Sequence, residues 1–172
     1  LLLGSTVAAQ AITLLSLPLV TRLYSPSDFG AFATYSAIVG TAGVVACGRM
    51  ELAIPLPADK NDARDIGATA LAILVIFSAI TLVICLCVWL AFDRIPLFVL
   101  LVPLGVFSAG LLSIGQYLLI RAKNFTVVAK ARIVQSLVSS CVQIIVGIAP
   151  IGAWGLYSSQ VGGNVAAFLV QS

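Results

Sequence analysis

Five stretches of this 172-residue chain contain no Asp, Glu, Lys or Arg: residues 1–21, 29–48, 66–92, 95–120 and 133–172. A helix of ~20 apolar residues crosses a hydrocarbon core of ~30 Å, so each of the first four can span a bilayer once. The last stretch would reach ~60 Å as one helix, about twice the core thickness. It must therefore fold back, and Pro150 and Gly152 in Ala149-Pro150-Ile151-Gly152 supply the break. The expectation is an all-α, polytopic integral membrane bundle of six transmembrane helices, at about 1–21, 29–56, 66–92, 95–120, 131–149 and 153–172. We read residues 1–172 as a single transmembrane bundle. There is no initiator Met and the chain stops inside an apolar run, so a piece of a longer polypeptide is expected.

Composition agrees. Hydrophobic residues are 61% of the chain and charged residues 9%, against ~25% charged in soluble domains. A soluble bundle would need a charged face on each helix, and these stretches have none. The formal charge of +3 is small and one-sided, which speaks for orientation rather than for nucleic acid. All four cysteines, Cys47, Cys85, Cys87 and Cys141, fall inside the spans, and the chain has no His. Disulfides and a zinc site are therefore not expected, and apolar filler is the reading for the thiols. No metal and no cofactor are expected.

The connectors alternate in charge. Segment 49–65 holds Arg49, Lys60 and Arg64, and 121–132 holds Arg121, Lys123, Lys130 and Arg132. On the other side stand only Arg22 and Arg94. The positive-inside rule places the basic segments, and both ends of the chain, in the cytoplasm. Ser25-Pro26-Ser27-Asp28 reads as turn chemistry capping the second helix, and Pro55 and Pro57 as its end.

Polar residues inside apolar segments need partners or water. The fifth helix carries Arg132, Gln135, Ser136, Ser139, Ser140 and Gln143, all on one helical face. Helix–helix glue and the lining of a wet cavity both account for this stripe, with the glutamines at the cavity if the two share it. Weaker rows run along the first helix (Thr6, Gln10, Thr13), the fourth (Gly105, Ala109, Ser113, Gln116) and the sixth (Gly155, Ser159, Gly163, with Asn164). Arg49 and Glu51 precede apolar residues, so the second helix is expected to continue past them and hold both below the membrane surface. A guanidinium there either snorkels to the interface or grips phosphate oxygens in bidentate fashion. Glu51 is a candidate protonatable coupling site. The cavity candidates are thus Arg49, Glu51, Gln10, Gln116, Gln135, Ser139, Gln143 and Asn164. Arg121, Lys123, Lys130 and Arg132 form a cytoplasmic basic rim.

Four segments carry a family resemblance. Leu17-Pro18-Leu19-Val20-Thr21-Arg22-Leu23-Tyr24-Ser25-Pro26-Ser27-Asp28-Phe29-Gly30 resembles the first-helix exit of Wzx-type polysaccharide flippases, in the multidrug/oligosaccharidyl-lipid/polysaccharide exporter superfamily. Arg49-Met50-Glu51-Leu52-Ala53-Ile54 resembles their arginine-x-glutamate-x-alanine-isoleucine signature. Arg121-Ala122-Lys123-Asn124-Phe125 is similar to the step after their fourth helix, and Gly152-Ala153-Trp154-Gly155-Leu156 to the turn into the sixth. The resemblance implies one lobe of a two-lobe transporter in the bacterial inner membrane. It would move an undecaprenyl-pyrophosphate-linked oligosaccharide by alternating access, for O-antigen, lipopolysaccharide or other surface polysaccharide. Expected partners are that lipid-linked oligosaccharide, the lipid bilayer, H+ or Na+ as coupling ion, and polysaccharide assembly machinery. No catalytic constellation is visible, so the expectation is not an enzyme. The alternatives are a cation-coupled multidrug antiporter, which would favour acidic or aromatic lining, and a membrane-embedded glycan polymerase or transferase, which would need acidic or His residues on larger loops.

Overall fold

The computed structural model describes residues 2–57, 59–92, 97–148 and 154–171, with side chains at all of these but 2, 3, 60 and 97. Among the described residues the chain is all-helical: α1 (Leu2–Leu23), α2 (Pro26–Ala46), α3 (Lys60–Ala91), α4 (Val102–Arg121), α5 (Phe125–Ile148) and α6 (Trp154–Gln171). Short 3-10 helices occupy Met50–Ala53 and Leu97–Leu101. Segments within the first five α-helices are long and apolar enough to cross a membrane. The shorter α6 is not among them, because Ser158, Ser159, Gln160 and Asn164 dilute its apolar residues. The expected breaks at Arg94 and at Pro150 and Gly152 lie outside the described residues.

Local chemistry sets the helix ends. Ser25 and Asp28 form a reciprocal cap on α2: Asp28 N–H donates to Ser25 Oγ at 3.2 Å, and Ser25 N–H to Asp28 Oδ2 at 3.1 Å. Pro26, whose missing N–H is no loss in a first turn, starts the helix. α2 then stops at Ala46 and does not run on to 56. Gly48 and Arg49 both adopt left-handed backbone, at φ 59° and 60°. Gly48 N–H folds back to Val45 O at 2.8 Å, the return bond of a glycine-terminated helix. The glycine ends α2 well before Pro55. Asp59 caps α3 by accepting from Asn61 N–H at 3.3 Å, so the polar run expected as a connector is largely the first turns of a helix. α3 has 32 residues, or ~48 Å, which lets it project beyond a ~30 Å core. α5 likewise begins at Phe125 rather than near 131, which puts Lys130 on the helix as well.

By its contacts the chain sorts into two compact units. The first contains residues 1–34 and 124–172, and the second residues 35–123. In the first, α5 packs along both α1 and α6. Val20, Tyr24 and Leu156 are buried there under Phe29, Phe32 and Ile144. In the second, α3 packs on α4, with Tyr35, Val39, Ile54, Leu74 and Val106 fully enclosed. The many exposed leucines, isoleucines and valines of α1, α3 and α5 are what lipid as the outer solvent requires.

Candidate functional site

The polar face of α5 resolves into two parallel rows, each stepping by four residues. Arg132, Ser136 and Ser140 face α1. Arg132 Nη1 donates to Thr6 Oγ1 at 2.9 Å. Ser136 Oγ donates to Ala9 O at 2.7 Å and lies 3.1 Å from Thr13 Oγ1. Ser140 Oγ lies 3.1 Å from Ser16 Oγ. The second row, Gln135, Ser139 and Gln143, faces α6. Gln135 Nε2 donates to Asn164 Oδ1 at 2.8 Å, Ser139 Oγ to Ser159 O at 3.2 Å, and Gln143 Nε2 to Ser159 Oγ at 3.2 Å.

A helix has 3.6 residues per turn, so two i, i+4 rows offset by one position diverge around the axis and reach different neighbours. Hydrogen bonds of this kind between membrane helices contribute on average ~0.6 kcal/mol each. Close approach matters as much. A Cβ on Gly163 would collide with Ser139 Oγ, so the α5–α6 seam needs glycine at that position. Ser159 is fully enclosed and Asn164 is 5% exposed, so this seam is dry at both positions.

Charge is distributed unevenly within the first unit. Arg132 sits seven residues into α5, ~10 Å along its axis. It is half-buried, its one hydrogen bond among the described residues goes to a neutral hydroxyl, and no carboxylate pairs with it there. A guanidinium has five N–H donors, so most of its capacity is unspent. Gln10, one turn beyond Thr6 on α1, is exposed in this unit. At the far end of α1, Tyr24 donates its phenol to Gln143 O at 2.8 Å. Burial raises its pKa above 10.0, and the Asp28 carboxylate adds to the shift.

The remaining candidates belong to the second unit. Arg49 and Glu51 do not ride on α2. Arg49 is exposed in the left-handed turn, and Glu51, 6% exposed, is the second residue of the 3-10 helix. Glu51 Oε2 is buried without a hydrogen bond among the described residues. Gln116 is half-buried on α4. Of the basic rim, Arg121 is tied down by three carbonyls, Ile54 O at 2.9 Å and Pro57 O and Asp59 O at 2.6 Å each. Lys123 is exposed at φ 56° beyond the end of α4, and Lys130 is exposed on α5 in the first unit. Among the described residues no three His, Cys, Asp or Glu side chains gather as metal ligands.

The structure thus brings together Gln135, Ser139, Gln143 and Asn164, with Arg132 on the adjoining row. Sequence reasoning passed over Ser16 and placed Ser159 only in a weaker row along the sixth helix. Ser16 continues the Thr6–Thr13 row by one further turn, a signal that was available. Ser159 accepts from Gln143 and donates to Leu156 O at 2.7 Å, a junction that no spacing rule reveals.

Residues 19–171 match the family model described as polysaccharide biosynthesis protein. No curated protein and no solved structure matches the chain.

Proposed function

Since the chain belongs to the polysaccharide biosynthesis protein family, we propose that this multi-pass membrane protein is one lobe of a flippase. It carries an undecaprenyl-pyrophosphate-linked oligosaccharide across the bacterial inner membrane by alternating access, with its basic segments cytoplasmic. The observation that carries this reading is Arg132. It stands at the cytoplasmic edge of the charge-free run of α5, where a guanidinium can reach phosphates at headgroup level. Half-buried, hydrogen-bonded to Thr6 and unpaired with any carboxylate among the described residues, it suits a transient anionic partner. A pyrophosphate supplies that charge, and the guanidinium fork can grip two of its oxygens.

Transport of this kind makes and breaks no covalent bond in the cargo, so the protein acts as a carrier and not as an enzyme. The two hydrogen-bonded seams hold α1, α5 and α6 as one body, which is what rigid-body alternation requires of a lobe. Gln10, exposed on α1 one turn beyond Thr6, is an amide available to a sugar hydroxyl. H+ or Na+ is the proposed coupling ion, with Glu51, its Oε2 buried without a hydrogen bond among the described residues, as the candidate group.

The test is export in a strain lacking its own flippase, scored as surface polysaccharide, with full-length protein quantified in the same cells. Arg132→Ala should reduce export at least ten-fold at normal abundance, and Arg132→Lys should restore it only in part, because an ammonium lacks the planar fork. Normal export from an abundant Arg132→Ala protein would remove Arg132 from the path.

A further inference from the structure

The second unit carries a groove that the transport reading does not use. It has a volume of about 640 Å³ and opens between α3 and α4, at the end where α3 begins and α4 finishes. That size falls within the ~300–1,000 Å³ typical of ligand clefts. Gly67 and Leu71 of α3 and Ile114 and Leu118 of α4 make its apolar walls, and Arg64 and Arg121 stand at its mouth.

The sequence of α3 fixes how this groove lies in a membrane. Its first turns carry Asn61, Asp62, Arg64 and Asp65, and its charge-free run starts at Ile66. From Arg64 to Leu71 the helix advances ~10 Å. The arginines therefore sit at the membrane–water boundary, while Leu71 and Ile114 lie at the depth of acyl chains. Among the described residues no carboxylate pairs with the arginines at the mouth. Arg121 donates to three backbone carbonyls, which orient its guanidinium but carry no net charge. The Asp59 carboxylate is turned to the Asn61 N–H. Arg64 makes no ion pair among the described residues, and Asp62 and Asp65 do not line the groove.

We propose that this groove binds an anionic phospholipid, with the phosphate between Arg64 and Arg121 and one acyl chain between α3 and α4. Two cations over a purely apolar slot fit an amphiphile. A free inorganic anion would leave the slot empty, and a zwitterionic headgroup would set its own cation against the two arginines. The site depends only on the protein being embedded in a bilayer and is independent of what the flippase carries.

Native mass spectrometry of the full-length protein in mild detergent tests it, with phosphatidylglycerol and phosphatidylcholine as probes. Phosphatidylglycerol should bind at one saturable site, about ten-fold more tightly than phosphatidylcholine. Arg64→Gln should weaken it about five-fold, the contribution of one basic residue at an anionic lipid surface. A Cβ at Gly67 meets nothing within 4 Å. Gly67→Leu can therefore fill the groove while leaving both arginines in place, and it should abolish saturable binding. Gly67→Ala, too small to fill it, should bind as the parent does and serves as the folding control. Parental binding by Gly67→Leu would overturn the proposal, as would equal affinity for the two lipids. Displacement of the lipid by millimolar inorganic phosphate would also overturn it, by showing that the site reads the headgroup alone.

Discussion

Gln135 and Asn164 meet amide to amide across the α5–α6 seam, with Gln135 Nε2 2.8 Å from Asn164 Oδ1. Asn164 is 5% exposed, so water cannot replace a lost partner. Removing either amide forfeits this bond, worth ~0.5–1.5 kcal/mol, and removing both forfeits it only once. Gln135→Leu and Asn164→Leu should each lower the unfolding midpoint of the purified protein, and the double variant should be more stable than the sum of the two losses allows. Strict additivity would show that the pair is not coupled.

The contact between Gly163 and Ser139 predicts a rescue. Gly163→Ala drives a methyl group into Ser139 Oγ, and overpacking of this kind costs ~1–3 kcal/mol. Ser139→Ala removes the obstructing oxygen and with it the bond to Ser159 O. The double variant should regain part of the midpoint lost by Gly163→Ala. If Gly163→Ala melts with the parent protein, α5 and α6 do not approach as closely as described.

Tyr24 gives a pH dependence. Its folded pKa lies above 10.0 because burial, helped by Asp28, disfavours the phenolate. A raised folded pKa adds stability that is fully present below the unfolded value, ~10, and is lost as pH rises through the folded value. The parent protein should lose stability above pH ~10 more steeply than Tyr24→Phe. At neutral pH Tyr24→Phe should be less stable by ~1 kcal/mol, having lost the bond to Gln143 O. Parallel curves across that range would remove the phenol from the balance.

Thiol labelling of a cysteine-free background tests both orientation and wetness. A cysteine at Asn61 should react with an impermeant reagent only after the inner membrane is opened, and one at Ser27 should react in intact spheroplasts. On α1, a cysteine at Gln10 should react with small aqueous reagents, while one at Leu15, equally uncovered by protein but facing lipid, should not. Equal reactivity at positions 10 and 15 would leave α1 without a distinct wet face.

Much of this protein was written locally. Charge-free runs fixed the membrane spans, since no charged face exists for water to solvate, and Ser25 with Asp28 announced the start of α2 through bonds between residues three apart. The α5 stripe was visible as spacing alone. Its division was not: Ser136 and Ser140 turn to α1 while Gln135, Ser139 and Gln143 turn to α6, because each bond joins residues brought together only when the helices pack. The end of α2 shows the same limit from the other side. Pro55 looked like the terminator, yet Gly48 had already turned the chain, leaving Arg49 in an exposed turn and Glu51 buried. Local rules name the residues able to stop a helix or carry a polar stripe. Tertiary packing decides which of them does so and which partner it meets, because a buried polar group in lipid is stable only where a neighbouring helix can satisfy it.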